Sequence, residues 1–420
     1  MNLMSFDPEA RHIKTTVLII GGGLSGLTLA AVLGEAGVEV TCIDRDPPLD
    51  QLAQKYDGRT TAISYASHRV LQAAGAWEKM LPDCAPILDI RVADGNSPLY
   101  LHFTSATDGN GAPFGWIIEN SLMRKALFEN ALRLKQRVRH IAPARIKKFI
   151  ANKSFTGVML EDGTKITAPL MIGADGRQSA TREWLGIAVK KTDCRQTAIV
   201  CNVVHEQDHE NVAVEHFHAA GPFAILPMTR GKNGGYRSSV VWTEHGKNAG
   251  AMLKLSAKEF DHRLQELFGP HLGRVRHVSP PMGYPLSLMH AESYTGHRVA
   301  LMAEAAHAVH PIAGQGLNLS MRDIAVLAEL IVDHLKLGLD IGAAALLNHY
   351  EAWRRPDTIL MAGVTDILNR LFSNNLKSVG VARDLGLGIV EKFPILKRYF
   401  AGQAMGLSGV LPRVMRTGRV

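Results

Sequence analysis

The stretch Thr15-Thr16-Val17-Leu18-Ile19-Ile20-Gly21-Gly22-Gly23-Leu24-Ser25-Gly26 decides the fold of this chain. Its first part is short, apolar and rich in β-branched residues, which is typical of a buried parallel strand. A helical pattern follows to about Ala36, and a second strand, 38–43, ends at Asp44. The order strand, glycines, helix, strand predicts the βαβ start of a Rossmann-like sheet.

Each glycine has its own task in such a unit. Gly21 would make the tight turn, Gly23 would let a pyrophosphate approach the backbone, and Gly26 would let helix and strand pack closely. Asp44 lies 18 residues after Gly26 (44 − 26 = 18), where a carboxylate accepts hydrogen bonds from an adenosine ribose. We therefore interpret this unit as a dinucleotide site rather than a merely structural turn, with FAD or NAD favoured over a 2′-phosphorylated cofactor.

A second stretch, Ala303-Glu304-Ala305-Ala306-His307-Ala308-Val309-His310-Pro311-Ile312-Ala313-Gly314-Gln315-Gly316-Leu317-Asn318, organises the distal part of the chain. It follows a strand-like run, 298–302, and leads into a helical pattern to about Leu335. An acid, a proline and two glycines before a helix bring backbone N–H groups and a positive helix end to an electron-rich ligand. We expect that ligand to be a flavin.

Other segments carry weaker signals. Arg59, after Asp57-Gly58, could meet a pyrophosphate or be an ordinary surface arginine, and Asp175 follows a strand at the edge where ligands bind open α/β sheets. Alternation from Ala198 to Trp242 predicts an antiparallel sheet, and 257–268 reads as a helix. From Leu317 onward the chain is predicted to be largely helical. We expect breaks at Gly338, Pro356, Gly386 and Pro394, and a solvated helix end at 350–355.

Composition bounds the function. The 420 residues are 46% hydrophobic with a net charge of +8, which favours anionic partners. Nucleic acid is the weakest candidate among them, because the sequence has no lysine run interleaved with aromatic residues. The four cysteines are scattered, so neither zinc nor a disulfide framework is indicated. We find no secretory signal and no apolar run of the roughly 18 residues that span a bilayer. The chain is therefore expected in the cytoplasm, with any membrane contact peripheral.

Two groups of polar and aromatic residues could suggest a site, but a structural role is the simpler interpretation of each. Histidines 205, 209, 216 and 218 lack a third ligand at a recognised spacing, so no metal site is expected. Glu215 and Trp242 could face a substrate, although an ordinary partly exposed position is the default.

Three segments together resemble the class A FAD-dependent aromatic hydroxylases, and within them the ubiquinone-biosynthesis hydroxylases. They are 21–26 with Asp44, then Gly173-Ala174-Asp175-Gly176-Arg177-Gln178-Ser179 with Arg182, and then 303–318. The resemblance implies a p-hydroxybenzoate hydroxylase-like α/β fold. A Rossmann-like FAD-binding domain (1–80, 115–188 and 286–370) would be interleaved with an antiparallel-sheet substrate domain (81–114 and 189–285), and a helical region (371–420) would follow.

The resemblance also implies roles for single residues. Asp44 would hold the adenosine ribose, and Arg59 and Asn120 would help hold the rest of FAD. Asp175 belongs to the motif that, in the family, serves both FAD and the passing nicotinamide. The loop from Pro311 through Gly314 and Gln315 to Gly316 would lie along the isoalloxazine ring, with the N–H groups of Leu317 and Asn318 facing its pyrimidine oxygen. A helix N-terminus there would stabilise the negative charge of reduced flavin.

One departure from the family pattern stands at the strand end. The family has Gly-Asp-Ala-Ala-His, whereas this chain has Ala303-Glu304-Ala305-Ala306-His307. Glu304 keeps the charge that would bind a ribityl hydroxyl on a side chain one methylene longer, and Ala303 adds a methyl group where the backbone approaches the cofactor.

The implied activity is hydroxylation of a prenylated phenol in ubiquinone biosynthesis. NADH or NADPH would reduce the flavin, and O₂ would give a C4a-hydroperoxide whose distal oxygen passes to the ring. The altered 303–304 pair motivates an alternative, a non-catalytic FAD-binding subunit that organises a quinone-biosynthesis complex. A third reading is a flavin-dependent isoprenoid reductase. The basic, amphipathic tail from Lys392 could rest on an anionic inner membrane or pack on its own domain or a partner subunit.

Overall fold

The structure, a computed structural model, describes residues 12–48, 58–95, 100–231, 234–310, 314–372 and 393–420. Pro311 and Gly386 lie outside the described residues.

The strands follow one another along the whole chain. They are β1 (His12–Lys14), β2 (Val17–Ile20), β3 (Val40–Ile43), β4 (Thr60–Ser64), β5 (Ala85–Ile87), β6 (Asp89–Asp94), β7 (Tyr100–Thr104), β8 (Gly115–Glu119), β9 (Val138–Ile141), β10 (Ile146–Ala151), β11 (Thr156–Leu160), β12 (Lys165–Ala168), β13 (Leu170–Gly173), β14 (Val189–His205), β15 (Val212–His218), β16 (Gly221–Met228), β17 (Tyr236–His245), β18 (Val275–His277), β19 (Met282–Ala291), β20 (Thr295–Gly296), β21 (Val299–Leu301) and β22 (His307–Ala308).

The α-helices are most frequent after residue 314. They are α1 (Leu24–Glu35), α2 (Tyr65–Ala73), α3 (Trp77–Met80), α4 (Asn120–Arg133), α5 (Ala180–Trp184), α6 (Gly246–Met252), α7 (Ala257–Phe268), α8 (Gln315–Lys336), α9 (Ala344–Phe372), α10 (Pro394–Ala404) and α11 (Arg413–Thr417).

The first layer of the molecule is a six-stranded sheet in the order β20-β21-β13-β2-β3-β9. Its strands are parallel from β21 to β9, with β20 antiparallel at one edge. Strands β2 and β3 are buried along their whole length, as expected for a sheet covered on both faces. The predicted βαβ unit thus forms the centre of this sheet, and the carboxyl ends of β2, β13 and β21 meet at one edge.

The second layer is a nine-stranded sheet with the path β22-β19-β14-β17-β16-β15-β6-β7, to which β18 adds beside β14. The alternating segment 198–242 is antiparallel, as predicted, but β15 pairs with β6 in parallel. The sheet is therefore mixed, because β6 arrives from a distant segment instead of a hairpin. Strand β19 crosses the predicted domain boundary at 285, and the domain division stays a prediction.

The predicted break at Pro356 is wrong, since α9 runs through this proline. A proline inside a helix costs about 3 kcal/mol because it removes a hydrogen bond and crowds the preceding turn. Two ion pairs connect α9 to helix α8 on either side of the proline: Arg354 binds Asp323, and Asp357 binds Arg322. Gly338, in contrast, follows the end of α8 at φ +68°, and Pro394 begins α10.

The interpretation of 350–355 as a solvated helix end is also wrong. Tyr350 and Arg354 are almost completely buried, and the Tyr350 hydroxyl donates to the Leu301 carbonyl at 2.9 Å. Helix α9 therefore packs against the parallel sheet. Within the part of the chain that the structure describes, no helix is both long and apolar enough to cross a bilayer.

Candidate functional site

A cavity of about 980 Å³ lies between the two sheets. The glycine turn after β2 lines it through Gly23, and the turn before α8 lines it through Gly314 and Gly316. Two bends almost three hundred residues apart in sequence therefore face one space. Its volume is near the upper end of the usual range for ligand sites, about 300–1,000 Å³.

The three glycines of the first turn differ in what surrounds them. A Cβ on Gly21, which has φ +103°, would lie 2.4 Å from the Ala174 carbonyl oxygen, and one on Gly26 would lie 1.8 Å from the Gly21 oxygen. Both positions therefore require glycine for close backbone packing. A Cβ on Gly23 would meet nothing within 4 Å. Gly23 thus leaves open space at the N-terminus of α1, where an anionic ligand is stabilised.

Asp44 stands at the end of β3, beside the first turn. Its Oδ2 accepts from the Gly22 N–H at 2.5 Å and its Oδ1 from the Asp46 N–H at 2.8 Å. These bonds hold the carboxylate next to the glycine turn. Its role toward a ribose stays a prediction.

Arg59 and Asn120 both line the cavity. The Arg59 guanidinium stacks over the Tyr284 ring at 5.4 Å, which links strand β4 to the large sheet. Asn120 begins α4 and is buried, and its Oδ1 accepts from the Thr61 hydroxyl at 2.6 Å. The pair reaches the cavity from the three-stranded sheet β4-β8-β5.

Asp175 follows β13 but is not among the residues that line the cavity. Its carboxylate accepts from the Ser179 hydroxyl and from the N–H and hydroxyl of Thr181 at 2.5–3.0 Å, and so caps α5. Its neighbours Gly176 and Arg177 do line the cavity. Asp175 therefore shapes the turn that presents these two residues.

The altered pair 303–304 shows a backbone reason for the family glycine. Ala303 has φ +55°, in the left-handed region that costs an L-residue roughly 1–2 kcal/mol. Glu304 lines the cavity and accepts from Arg177 Nε at 2.9 Å. Arg182 ties the same two turns together through the carbonyls of Ala305 and Arg177, each at 2.8 Å.

The second turn ends in the left-handed Gly314, which is the N-cap of α8 at φ +64°. Gln315, Gly316 and Leu317 line the cavity from the first turn of that helix, and a Cβ on Gly316 would meet nothing within 4 Å. The N–H groups of a first helical turn lack intrahelical partners, so they are available to a ligand. The side chain of Asn318 connects helix α8 to strand β4. It accepts from the Ser64 N–H at 3.0 Å and donates to the Ala62 carbonyl at 2.9 Å.

A buried ion network lies behind this turn, and it was not predicted from the sequence. Asp323 accepts from His307 Nε2 at 2.6 Å, from Arg354 Nε at 2.7 Å and from the Ala303 N–H at 2.9 Å. The charges of His307 and Arg354 outweigh burial and lower the pKa of Asp323 to about 2. His307 itself lines the cavity. The available signal was an acid in the middle of the apolar helical stretch 319–332.

The opposite wall of the cavity is one face of the nine-stranded sheet. Alternate residues of seven strands form it: Ile90, Val92, Leu101, Phe103, Ala198, Val200, Ala213, Glu215, Phe217, Pro222, Ala224, Leu226, Val241, Thr243, Tyr284 and Leu286. Phe400 and Ala404 of α10 also line the cavity. Glu215 therefore faces the cavity, whereas Trp242 packs on the opposite face against Phe260 of α7.

Three of the four histidines considered for a metal bond other groups, and the ring of the fourth, His218, packs against that of His216. His205 bonds the Gln207 carbonyl and Ser238, His209 the Met228 carbonyl, and His216 the Gly95 carbonyl, at 2.6–3.0 Å. Among the described residues, no group of three potential ligands surrounds a metal-sized space.

The cavity fits a flavin dinucleotide on two observations. Open Cβ positions at Gly23 and Gly316 leave the backbone accessible at both turns, and each turn begins a helix whose positive end faces the cavity. One turn suits a pyrophosphate, and the other suits the negative edge of a reduced isoalloxazine ring. The individual residue assignments stay predictions.

Comparison with known proteins agrees with this geometry. The family model described as FAD binding domain matches residues 14–361. The ubiquinone hydroxylase UbiL of Rhodospirillum rubrum is 48% identical over 95% of this chain and 92% of its own length. The 3-demethoxyubiquinol 3-hydroxylase of Escherichia coli is 29% identical over 94% of this chain and 99% of its own. The fold is that of the p-nitrophenol 4-monooxygenase PnpA of Pseudomonas putida, with a TM-score of 0.76, 18% identity and coverage of 95% and 100%.

Proposed function

The chain belongs to the FAD binding domain family, among the class A FAD-dependent aromatic hydroxylases, and we propose that it hydroxylates the ring of a prenylated phenol in ubiquinone biosynthesis. It is an NAD(P)H- and O₂-dependent monooxygenase with FAD as its cofactor. One observation carries the substrate class: the space beside the flavin turns continues as a long, almost wholly apolar wall. An apolar channel of this kind suits a polyprenyl chain joined to a small aromatic ring.

FAD, when bound, accepts hydride from NAD(P)H and activates O₂ for transfer to the ring. The protein supplies position, charge and dryness. The first turn of α8, through Gly316 and Leu317, offers N–H groups and a positive helix end to the anionic edge of the ring. The Arg177–Glu304 pair closes the space between the Asp175 turn and the 303–308 turn.

Helix α10 gives the prenyl chain a path to a membrane surface. Its residues Phe400 and Ala404 line the cavity, while Ile395 and Tyr399 are exposed on the same helix beside Arg398. Apolar side chains flanked by cations bind the interface of an anionic bilayer. The protein is thus proposed to act as a peripheral protein on the inner membrane, where other enzymes of quinone biosynthesis could share its substrate.

The test is oxygen incorporation. Purified holoenzyme with NADH, farnesylphenol and ¹⁸O₂ is expected to give a product that carries one ¹⁸O atom, as read by mass spectrometry. NADH oxidation without a labelled product, or a product reduced in its prenyl chain, would contradict hydroxylation.

The alternative, a non-catalytic organising subunit, is favoured only by the 303–304 pair. The structure accommodates both residues, because Ala303 adopts the left-handed backbone and Glu304 reaches Arg177. A yellow protein that binds partner enzymes yet never oxidises NAD(P)H would support that alternative.

A further inference from the structure

Glu215 occupies an unusual place in the sheet. It lies in the middle of β15, and its register partners are Val92 on β6 and Ala224 on β16. Ala213 and Phe217 precede and follow it on the same face of the strand. All four neighbours line the cavity and are apolar. Glu215 is thus a carboxyl group set into an apolar wall.

The fold gives this carboxyl group no partner. Within the described part of the chain, Glu215 has neither a hydrogen bond nor an ion pair. An unpaired carboxylate among apolar side chains is costly, so native proteins seldom keep one without a purpose. A leucine or threonine would fill the same position of the strand at lower cost. The position therefore points to a ligand that completes the group.

Burial alone raises the pKa of Glu215 to about 7. On its face of the sheet, the neighbouring strand β6 contributes Asp94, which pairs in register with Phe217, and β16 carries no titratable side chain. On α10, Lys397 lies 4.0 Å from Asp108. The remaining titratable side chains that line the cavity are Arg59, Arg124, Arg177, Tyr284, Glu304 and His307. Glu215 is consequently near half ionisation at neutral pH, which suits a general base.

We propose that Glu215 recognises the phenolic hydroxyl of the substrate and acts as its general base, an inference that rests on the function proposed above. The carboxylate accepts the hydrogen bond and then the proton. The phenolic O–H bond breaks, a carboxylic O–H bond forms, and the electron pair stays on the phenolate oxygen. That charge enriches the ortho and para ring carbons, where an electrophilic oxygen is accepted. The proton returns to the product hydroxyl as it leaves.

The first readout is the preference of the FAD-loaded protein for farnesylphenol over its methyl ether. It is measured by tryptophan fluorescence as the Kd of the ether divided by the Kd of the phenol. The wild type is expected to prefer the phenol by roughly tenfold or more at pH 8, since a hydrogen bond to a charged acceptor is stronger than one between neutral groups. In Glu215→Gln the ratio falls toward one. The matched control Glu161→Gln, in the exposed turn after β11, keeps the wild-type ratio.

The second readout is pH dependence. The kcat/KM of the wild type rises with pH through about 7 as Glu215 ionises, Glu215→Asp keeps a rise of this kind, and Glu215→Gln loses it. Thermal unfolding tests the charge state of Glu215 independently of catalysis. The folded-state pKa lies above the ordinary glutamate value, so the charged carboxylate costs stability above pH 7. Glu215→Gln therefore raises Tm at pH 8, and the gain shrinks as pH falls to 5.

Two failures are distinguishable. If the wild type incorporates ¹⁸O into farnesylphenol while Glu215→Gln keeps both the phenol preference and the pH profile, the role of Glu215 is wrong and the hydroxylase function stands. If the wild type incorporates no oxygen, the proposed function fails instead. A Tm that drops sharply in Glu215→Gln at pH 8 would show a structural role for the carboxylate and overturn the inference.

Discussion

At the residue scale, the site is built by backbone conformations that few residue types adopt. Gly21 and Gly314 hold positive φ, and Gly26 lies against the Gly21 carbonyl. Ala303 is the exception, a residue with a Cβ in the left-handed region. Its strain is held by the N–H bond to Asp323 and by the buried packing around it.

Replacement of Ala303 by glycine is expected to be nearly neutral. Relief of roughly 1–2 kcal/mol of left-handed strain offsets the chain entropy of glycine and the loss of a buried methyl group, which together cost about 1.5 kcal/mol. The matched variant Ala306→Gly loses the same methyl group at φ −99° with no strain to relieve, so it should cost about 1–2 kcal/mol. Urea unfolding at pH 7 measures both. Equal losses in the two variants would contradict strain at Ala303.

Replacement of Asp323 by asparagine is expected to destabilise the protein by about 3–5 kcal/mol at pH 7, because the Arg354 guanidinium stays buried without its counter-charge. The pKa of Asp323 is depressed, so its contribution is present above the ordinary aspartate pKa and is lost as pH falls through about 2. The difference in unfolding free energy between the variant and the wild type should therefore become smaller between pH 4 and pH 2.

Urea unfolding across that pH range supplies the measurement, with Asp162→Asn in the exposed turn after β11 as the control. A difference that stays constant down to pH 2, or no loss at pH 7, would show that the Asp323 charge does not hold the network.

At the scale of elements, long helices and strands followed from local pattern, whereas their partners did not. Helix 257–268 has the predicted bounds, and in the structure Ser256 and Glu259 form a capping box at its start. The parallel pairing of β6 with β15, and the continuation of α9 through Pro356, depend on contacts between distant segments. Local preference is a weak guide where tertiary contacts outweigh it.

Helix α10 allows a test of the membrane contact. Ile395→Glu, at a side chain that is 77% exposed, is expected to lower binding to anionic phosphatidylglycerol vesicles by roughly tenfold, since it removes a fully inserting aliphatic side chain. The matched control Leu337→Glu, 72% exposed beyond α8, should bind as the wild type does. Co-sedimentation measures both. Equal loss in the two variants would point to charge alone, and no loss in Ile395→Glu would remove α10 from the interface.

At the scale of the whole molecule, the two glycine-rich bends could be recognised from the sequence, and their convergence was an inference from the resemblance. The structure brings Gly23 and Gly316 to one cavity. The sequence could not predict which side chains of each strand face that cavity, because a one-residue shift in register moves every side chain of a strand to the opposite face. Glu215 and Trp242 show this difference: the former lines the cavity and the latter lies in the core beneath.

The most direct measurement of this convergence is the FAD affinity of Gly23→Val and Gly316→Val, titrated by flavin fluorescence into protein freed of cofactor. Both Cβ positions are open in the protein itself, so the variants should fold, yet each side chain would occupy the space of the cofactor. Gly250→Val, also open but in α6 and outside the cavity lining, is the control. We expect both site variants to lose about tenfold or more in FAD affinity, or about 1.4 kcal/mol, while the control keeps the wild-type affinity. Wild-type affinity in either site variant would contradict a single FAD bound by both turns.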